Sequence, residues 1–162
     1  ESLPKGRRIN SPLQGGREMV VCTIGFAKKN LKAFISKLRA ADVKKVVDIR
    51  LHNTLQLAGY AKKDDLEYVL DLVGIGYEHH PELAPTEEIL DGYKKKGISW
   101  AEYERLFRAL LAERDPLKNS PLARQPGPIC ILCAEDKPTQ CHRRLVAEHF
   151  TERVHGVEIR HL

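Results

Sequence analysis

A chain of 162 residues, 42% hydrophobic and 30% charged, suits one folded domain with its own core, and its makeup excludes disordered and fibrous classes. Its net charge of +5 mildly favours an anionic partner, a small molecule such as a nucleotide or a nucleic acid, and no apolar run approaches the ~20 residues that a membrane span needs. Four cysteines without a repeated spacing read as reduced thiols of a cytoplasmic protein, and the opening residues lack the apolar centre of a signal peptide.

Residues 1–18 are basic, rich in glycine and proline and nearly free of apolar side chains, so burial cannot offset their ordering entropy, and a mobile tail is expected. The remainder, 19–162, reads as a single α/β domain. Met19-Val20-Val21-Cys22-Thr23-Ile24-Gly25 is an apolar run ending in glycine, as in a strand covered on both faces. Asn30 can cap a helix whose Leu31, Phe34, Ile35 and Leu38 fall on one face. Val46 to Arg50 is the second strand, parallel to the first through a right-handed crossover. Asp64-x-x-Glu67 reads as a capping box for a helix through Val73, Gly74 as its left-handed stop, and Ile75 to His79 as a third strand.

Thr86 to Lys95 forms a short helix. Ser99-x-x-Glu102 caps another, with Trp100, Tyr103, Leu106, Phe107, Leu110 and Leu111 on one face, an aromatic stripe whose helical period assigns it to the core rather than to base stacking. Four prolines make 115–128 a surface loop. Pro128 to Cys133 is the fourth strand, Pro138 to Phe150 the last long helix, and Val157 to Arg160 the fifth strand. Strands alternating with helices predict a three-layer α/β/α sandwich around a mostly parallel five-stranded sheet.

Ligands of such sheets sit beyond the carboxyl ends of the strands, where strand order reverses. With the order 3-2-1-4-5, the ends at Gly25, at Asp48-Ile49-Arg50 and at Cys133-Ala134-Glu135 share one rim. Gly25 would let backbone approach a ligand. Asp48 and Arg50 alternate onto one side of their strand, and Arg50 either holds an anionic group or neutralises Asp48 or Glu135. Glu135 is a general acid or base, or a charge complement to the following helix start. Cys141, placed in the first turn of its helix beside His142 and Arg143, is a candidate thiolate or a buried structural residue. His142 is a candidate proton shuttle or a solvated helix residue.

Cys130-x-x-Cys133 is set aside as a metal or redox pair, because the two point to opposite faces of a strand. A zinc site of Cys133, Cys141 and His142, with His79 or His80, lacks an established spacing, and no metal is assigned. A cysteine and an arginine separated by five residues, as a phosphate-cradling loop requires, would put the arginine at 139 or 147, which are Thr139 and Ala147; Walker and G-x-G-x-x-G loops are missing too.

Thr23-Ile24-Gly25-Phe26, Val47-Asp48-Ile49-Arg50, Gly59-Tyr60, Gly74-Ile75-Gly76-Tyr77 leading into Pro81-Glu82-Leu83, Leu132-Cys133-Ala134-Glu135 and Cys141-His142-Arg143 together resemble the domain of unknown function family 488, from about Val20 to Ile159. Leu51-His52-Asn53-Thr54 departs from the proline and basic residues that relatives tend to carry there. The resemblance implies an α/β fold and marks Asp48, Arg50, Cys133, Glu135, Cys141, His142 and Arg143 as motif positions. It implies no activity and no cofactor.

The expectation from these residues is an enzyme acting on an anionic substrate, a nucleotide or nucleic acid. Gly25, Asp48, Arg50, Cys133 and Arg143 would shape or bind the substrate, Glu135 would move protons, and Cys141 with His142 would supply the nucleophile or a second acid and base. Arg50 and Glu135 are expected within reach of each other, with Cys141 and His142 on the same pocket. The alternative is a non-catalytic nucleic-acid-binding module using the tail and Lys94-Lys95-Lys96.

Overall fold

The structure, a computed structural model, describes residues 18–54 and 56–162, so the tail expected at the start lies outside it except for Glu18. Five strands, β1 (Met19–Gly25), β2 (Lys45–Asp48), β3 (Gly76–His79), β4 (Ile129–Cys133) and β5 (Val157–His161), form one sheet in which all four pairings are parallel. Between them run α1 (Leu31–Ala40), α2 (Lys63–Leu72), α3 (Glu87–Lys94), α4 (Trp100–Arg114) and α5 (His142–Arg153). Among the described residues no helix is long and apolar enough to cross a membrane.

The helices divide between the faces. Cys22, Ile24, Val46, Cys130 and Leu132 pack against Phe34 and Leu38 of α1 and Leu66 and Leu70 of α2. Val21, Val47, Ile129 and Ile131 pack against Phe107 and Leu111 of α4 and Leu145, Val146 and Phe150 of α5. Alternate residues of one strand thus feed two cores, the three-layer arrangement expected of these near-continuous apolar runs.

Strand order corrects one expectation. The sheet runs β3-β2-β4-β1-β5, so β4, not β1, is the central strand and separates β1 from β2. All five residues of β4 are buried, whereas β3 and β5 at the edges are mostly half-exposed. The most apolar strand takes the place where burial on both faces returns most. The long passage from β3 through α3, α4 and residues 115–128 gives the chain enough length to return and insert it. Chains leaving β2 and β4, now neighbours, depart to opposite faces through α2 and α5. The crevice where order reverses therefore opens between β2 and β4.

Helix starts follow their caps where a side chain does the capping. Asn30 accepts from Ala33 N–H at 2.8 Å, Thr86 from Ile89 N–H at 3.3 Å and Ser99 from Glu102 N–H at 3.1 Å. The capping box expected at Asp64 does not form: α2 starts at Lys63 and places Asp64 and Asp65 inside its first turn, where they complement the helix dipole. The last helix also starts later than expected, at His142, so residues 134–141 form a longer loop with Cys141 as its final, extended residue.

Candidate functional site at the β2–β4 crevice

Asp48 closes β2. Its Oδ1 accepts from the Arg50 backbone N–H at 3.1 Å, which turns the chain out of the sheet, and from Arg50 Nε at 2.9 Å. Its Oδ2 accepts from Arg50 Nη2 at 2.8 Å, Tyr77 OH at 2.6 Å and Asn53 Nδ2 at 3.3 Å. Burial alone would raise this carboxyl; the Arg50 bonds and charge, with Tyr77, outweigh it and hold Asp48 below the usual carboxylate range. Asp48 is fully buried behind Arg50, so it positions the arginine instead of meeting a ligand. The guanidinium carbon also lies 5.3 Å from the centre of the Phe26 ring.

Arg50 borders a cavity of about 340 Å³ whose far side is the loop after β4. Cys133, Glu135, Cys141 and His142 line the same cavity, so four strand-end and helix-start residues singled out in the sequence do meet with Arg50 in one place. The expected partnership of Arg50 with Glu135 is replaced by that with Asp48: Nε and Nη2 are given to Asp48, and among the described residues Glu135 forms no ion pair.

Gly25 and Arg143 have a different place from the one expected. A β-carbon on Gly25 would fall 1.5 Å from the Glu135 carbonyl oxygen and 2.6 Å from Arg143 Nη1, so its lack of a side chain admits the loop, not a ligand. Arg143 is fully buried, donates from Nη1 to the Glu135 carbonyl and from Nη2 to that of Asp136 at 3.0 Å, and reaches Cys141 Sγ at 3.9 Å. It clamps the loop from inside. Lys29 does so from outside, pairing with Asp136 at 3.0 Å. Phe26 and Ala27 N–H groups bond the carbonyls of Cys133 and Ala134.

The floor of the cavity is a sulfur–imidazole cluster. Ligand-capable atoms of Cys133, Cys141 and His142 all lie within 4.8 Å of one another, and all three residues are buried. His142 Nδ1 is 3.6 Å from Cys133 Sγ, while its Nε2 lies 3.0 Å from the Ile49 carbonyl. Its ring stands edge-on to Phe107 at 5.8 Å, so this is a fixed core histidine and not a solvated one. A hydrogen bond from the Cys141 thiol lowers Cys133 below the ordinary thiol value against the opposing effect of burial, helped by Ala134 and Glu135 N–H groups and the Arg143 charge. The same bond and burial push Cys141 up, which favours the buried structural residue over the thiolate among the two readings of this cysteine. Cys130 faces the opposite core, as expected, and His79 and His80 are engaged elsewhere, with the Arg50 carbonyl and with Glu78 and Glu82.

The aromatic wall was not legible as a site. Trp100 and Tyr103 stack at 4.9 Å with 20° between planes, Tyr93 packs against both, and all three line the cavity with Phe26. Tyr103, Phe107 and Leu111 are buried core, as the period predicts. Yet the first turn of α4 and the end of α3 turn aromatic surface onto the crevice. Its signal was the concentration of rings at one end of the stripe. Lys94 and His52 lie on the cavity rim, whereas Lys95 pairs with Asp91 at 3.6 Å.

The family described as Domain of unknown function DUF488 matches residues 30–150 of the chain. No curated protein and no solved structure matches it.

Proposed function

The chain belongs to the DUF488 family, and since membership carries no reaction with it, we propose one from the site: an enzyme that binds a small anionic substrate bearing a flat ring, a nucleotide being the class that joins both properties, and works on it at the Cys133–Cys141–His142 cluster. The observation that carries this reading is the convergence of that cluster with an aromatic wall on one cavity of about 340 Å³, within the size range of ligand pockets. Trp100 and Tyr93 offer faces for a ring. Lys94 on the rim supplies positive charge for a phosphate, and Arg50, oriented by Asp48, keeps Nη1 for the same purpose. Glu135 lines the cavity without an ion-pair partner among the described residues and is the group suited to carry a proton between substrate and solvent. Arg143 acts through the loop it holds and does not touch substrate.

Titration of the full chain with mononucleotides tests this. Trp100→Ala should weaken binding by about 5- to 150-fold, the scale of losing ~1–3 kcal/mol of ring stacking, and Glu135→Gln should bind normally while losing turnover. The binding-module alternative gives another pattern: affinity indifferent to Trp100, falling steeply with salt, and abolished by removing residues 1–17. That pattern would overturn the enzyme reading.

A further inference from the structure

We propose that Cys133, Cys141 and His142 form a binding site for one zinc-class divalent metal ion, with the fourth coordination position open to the cavity. The site goes beyond the reading above, because it stands on donor geometry whether or not the cavity takes a nucleotide. A tetrahedral zinc with Zn–S of about 2.3 Å and Zn–N of about 2.0–2.1 Å separates a sulfur from a nitrogen ligand by about 3.6 Å. Cys133 Sγ and His142 Nδ1 are 3.6 Å apart, and Cys141 Sγ completes a group whose members all lie within 4.8 Å of one another.

The surroundings point the same way. The 3.0 Å contact of His142 Nε2 with the Ile49 carbonyl places the proton on Nε2, because a carbonyl only accepts. Nδ1 is then the unprotonated nitrogen; Cys133 Sγ lies beside the ring, 3.6 Å from Nδ1 and 3.9 Å from Nε2, so metal binding turns the ring to aim Nδ1 at the ion. An outer carbonyl fixing the tautomer of a ligating histidine is the arrangement metal sites require. Two thiolates and a cation of charge +2 balance, and Arg143 Nη1 at 3.9 Å from Cys141 Sγ adds a donor to the sulfur side. Binding displaces the thiol protons, which leave to solvent; nothing is oxidised or reduced. Two sulfurs and one imidazole favour zinc over magnesium or calcium. Three protein ligands, not four, are typical of catalytic sites, which leave a position for water or a substrate donor. The cluster forms the floor of the cavity, so that position has an entrance.

The test uses the full chain, reduced, stripped with a chelator and titrated with zinc against a chromophoric competitor, then with cobalt. One zinc per chain should bind, and the cobalt form should show thiolate-to-metal charge-transfer absorption and the intense visible bands of four-coordination. Cys133→Ser and His142→Ala should abolish stoichiometric binding. Should either fail to fold, protection of Cys133 and Cys141 from iodoacetamide by zinc in the unmodified chain gives the same answer. No zinc at equivalence, a cobalt spectrum without sulfur charge transfer, or alkylation indifferent to zinc would each overturn the site. A Cys133–Cys141 disulfide that forms under mild oxidation despite saturating zinc would overturn it in favour of a dithiol pair. Trp100→Ala should bind zinc normally, which separates failure of the metal site from failure of the nucleotide reading.

Discussion

Asp48 is a buried carboxylate held by Arg50, Tyr77 and Asn53, so the loss of its counter-charge matters more than the loss of the pair. Arg50→Met alone should destabilise the protein by about 3–5 kcal/mol, since an uncompensated charge is left inside. Adding Asp48→Asn to the same chain should recover most of that loss. Urea denaturation of the two variants checks this, and equal stability for both would show that the Asp48 charge left behind costs nothing. The Asp48–Arg50 pairing was legible because period two puts both on one side of a strand. The tasks of Gly25 and Arg143 were not. Each depends on residues 25, 135, 136 and 143 packing together across β1, β4 and α5, and no local pattern encodes that contact.

Helix α5 shows what an element adds to its residues. It is buried along much of its length, and His149 on it is 6% exposed with Nε2 unpartnered among the described residues. Burial, reinforced by the Arg153 charge, pulls His149 down to about 4. The unfolded chain therefore takes up a proton near pH 6.5 that the folded chain refuses until about pH 4. Stability from this group is complete above pH 6.5 and is lost as pH falls toward 4, with a slope approaching ~1.4 kcal/mol per pH unit between them. Chemical denaturation at a series of pH values should show that slope in the native chain and a flatter one in His149→Leu; identical slopes would remove His149 from the account. The element itself was legible in the sequence as a helix over 138–150, but its start was not. Pro138 suggested a helix opening, yet the clamp of Arg143 on the Glu135 and Asp136 carbonyls keeps the loop irregular to Cys141. That shift takes Cys141 out of the first turn and onto the floor of the cavity.

At the scale of the whole molecule, function depends on strand order. Alternating strands and helices predicted the three layers and the parallel sheet, because both follow from periodicity and connection length. The position of β4 between β2 and β1 depends on how a long crossover returns, about which local pattern is silent. The observed order still brings the ends of β2 and β4 together, and more directly than the expected one, so Arg50 and the Cys133 cluster face one cavity without β1 between them. The central claim is that this cavity, and not the basic surface, is where the protein meets its ligand. Backbone amide shifts of the labelled full chain during titration with a mononucleotide test it most directly. The account predicts saturating shifts concentrated at Arg50, Tyr103, Ala134, Glu135 and His142. Shifts confined to residues 1–17 and Lys95–Lys96, with the ends of β2 and β4 unmoved, would contradict it.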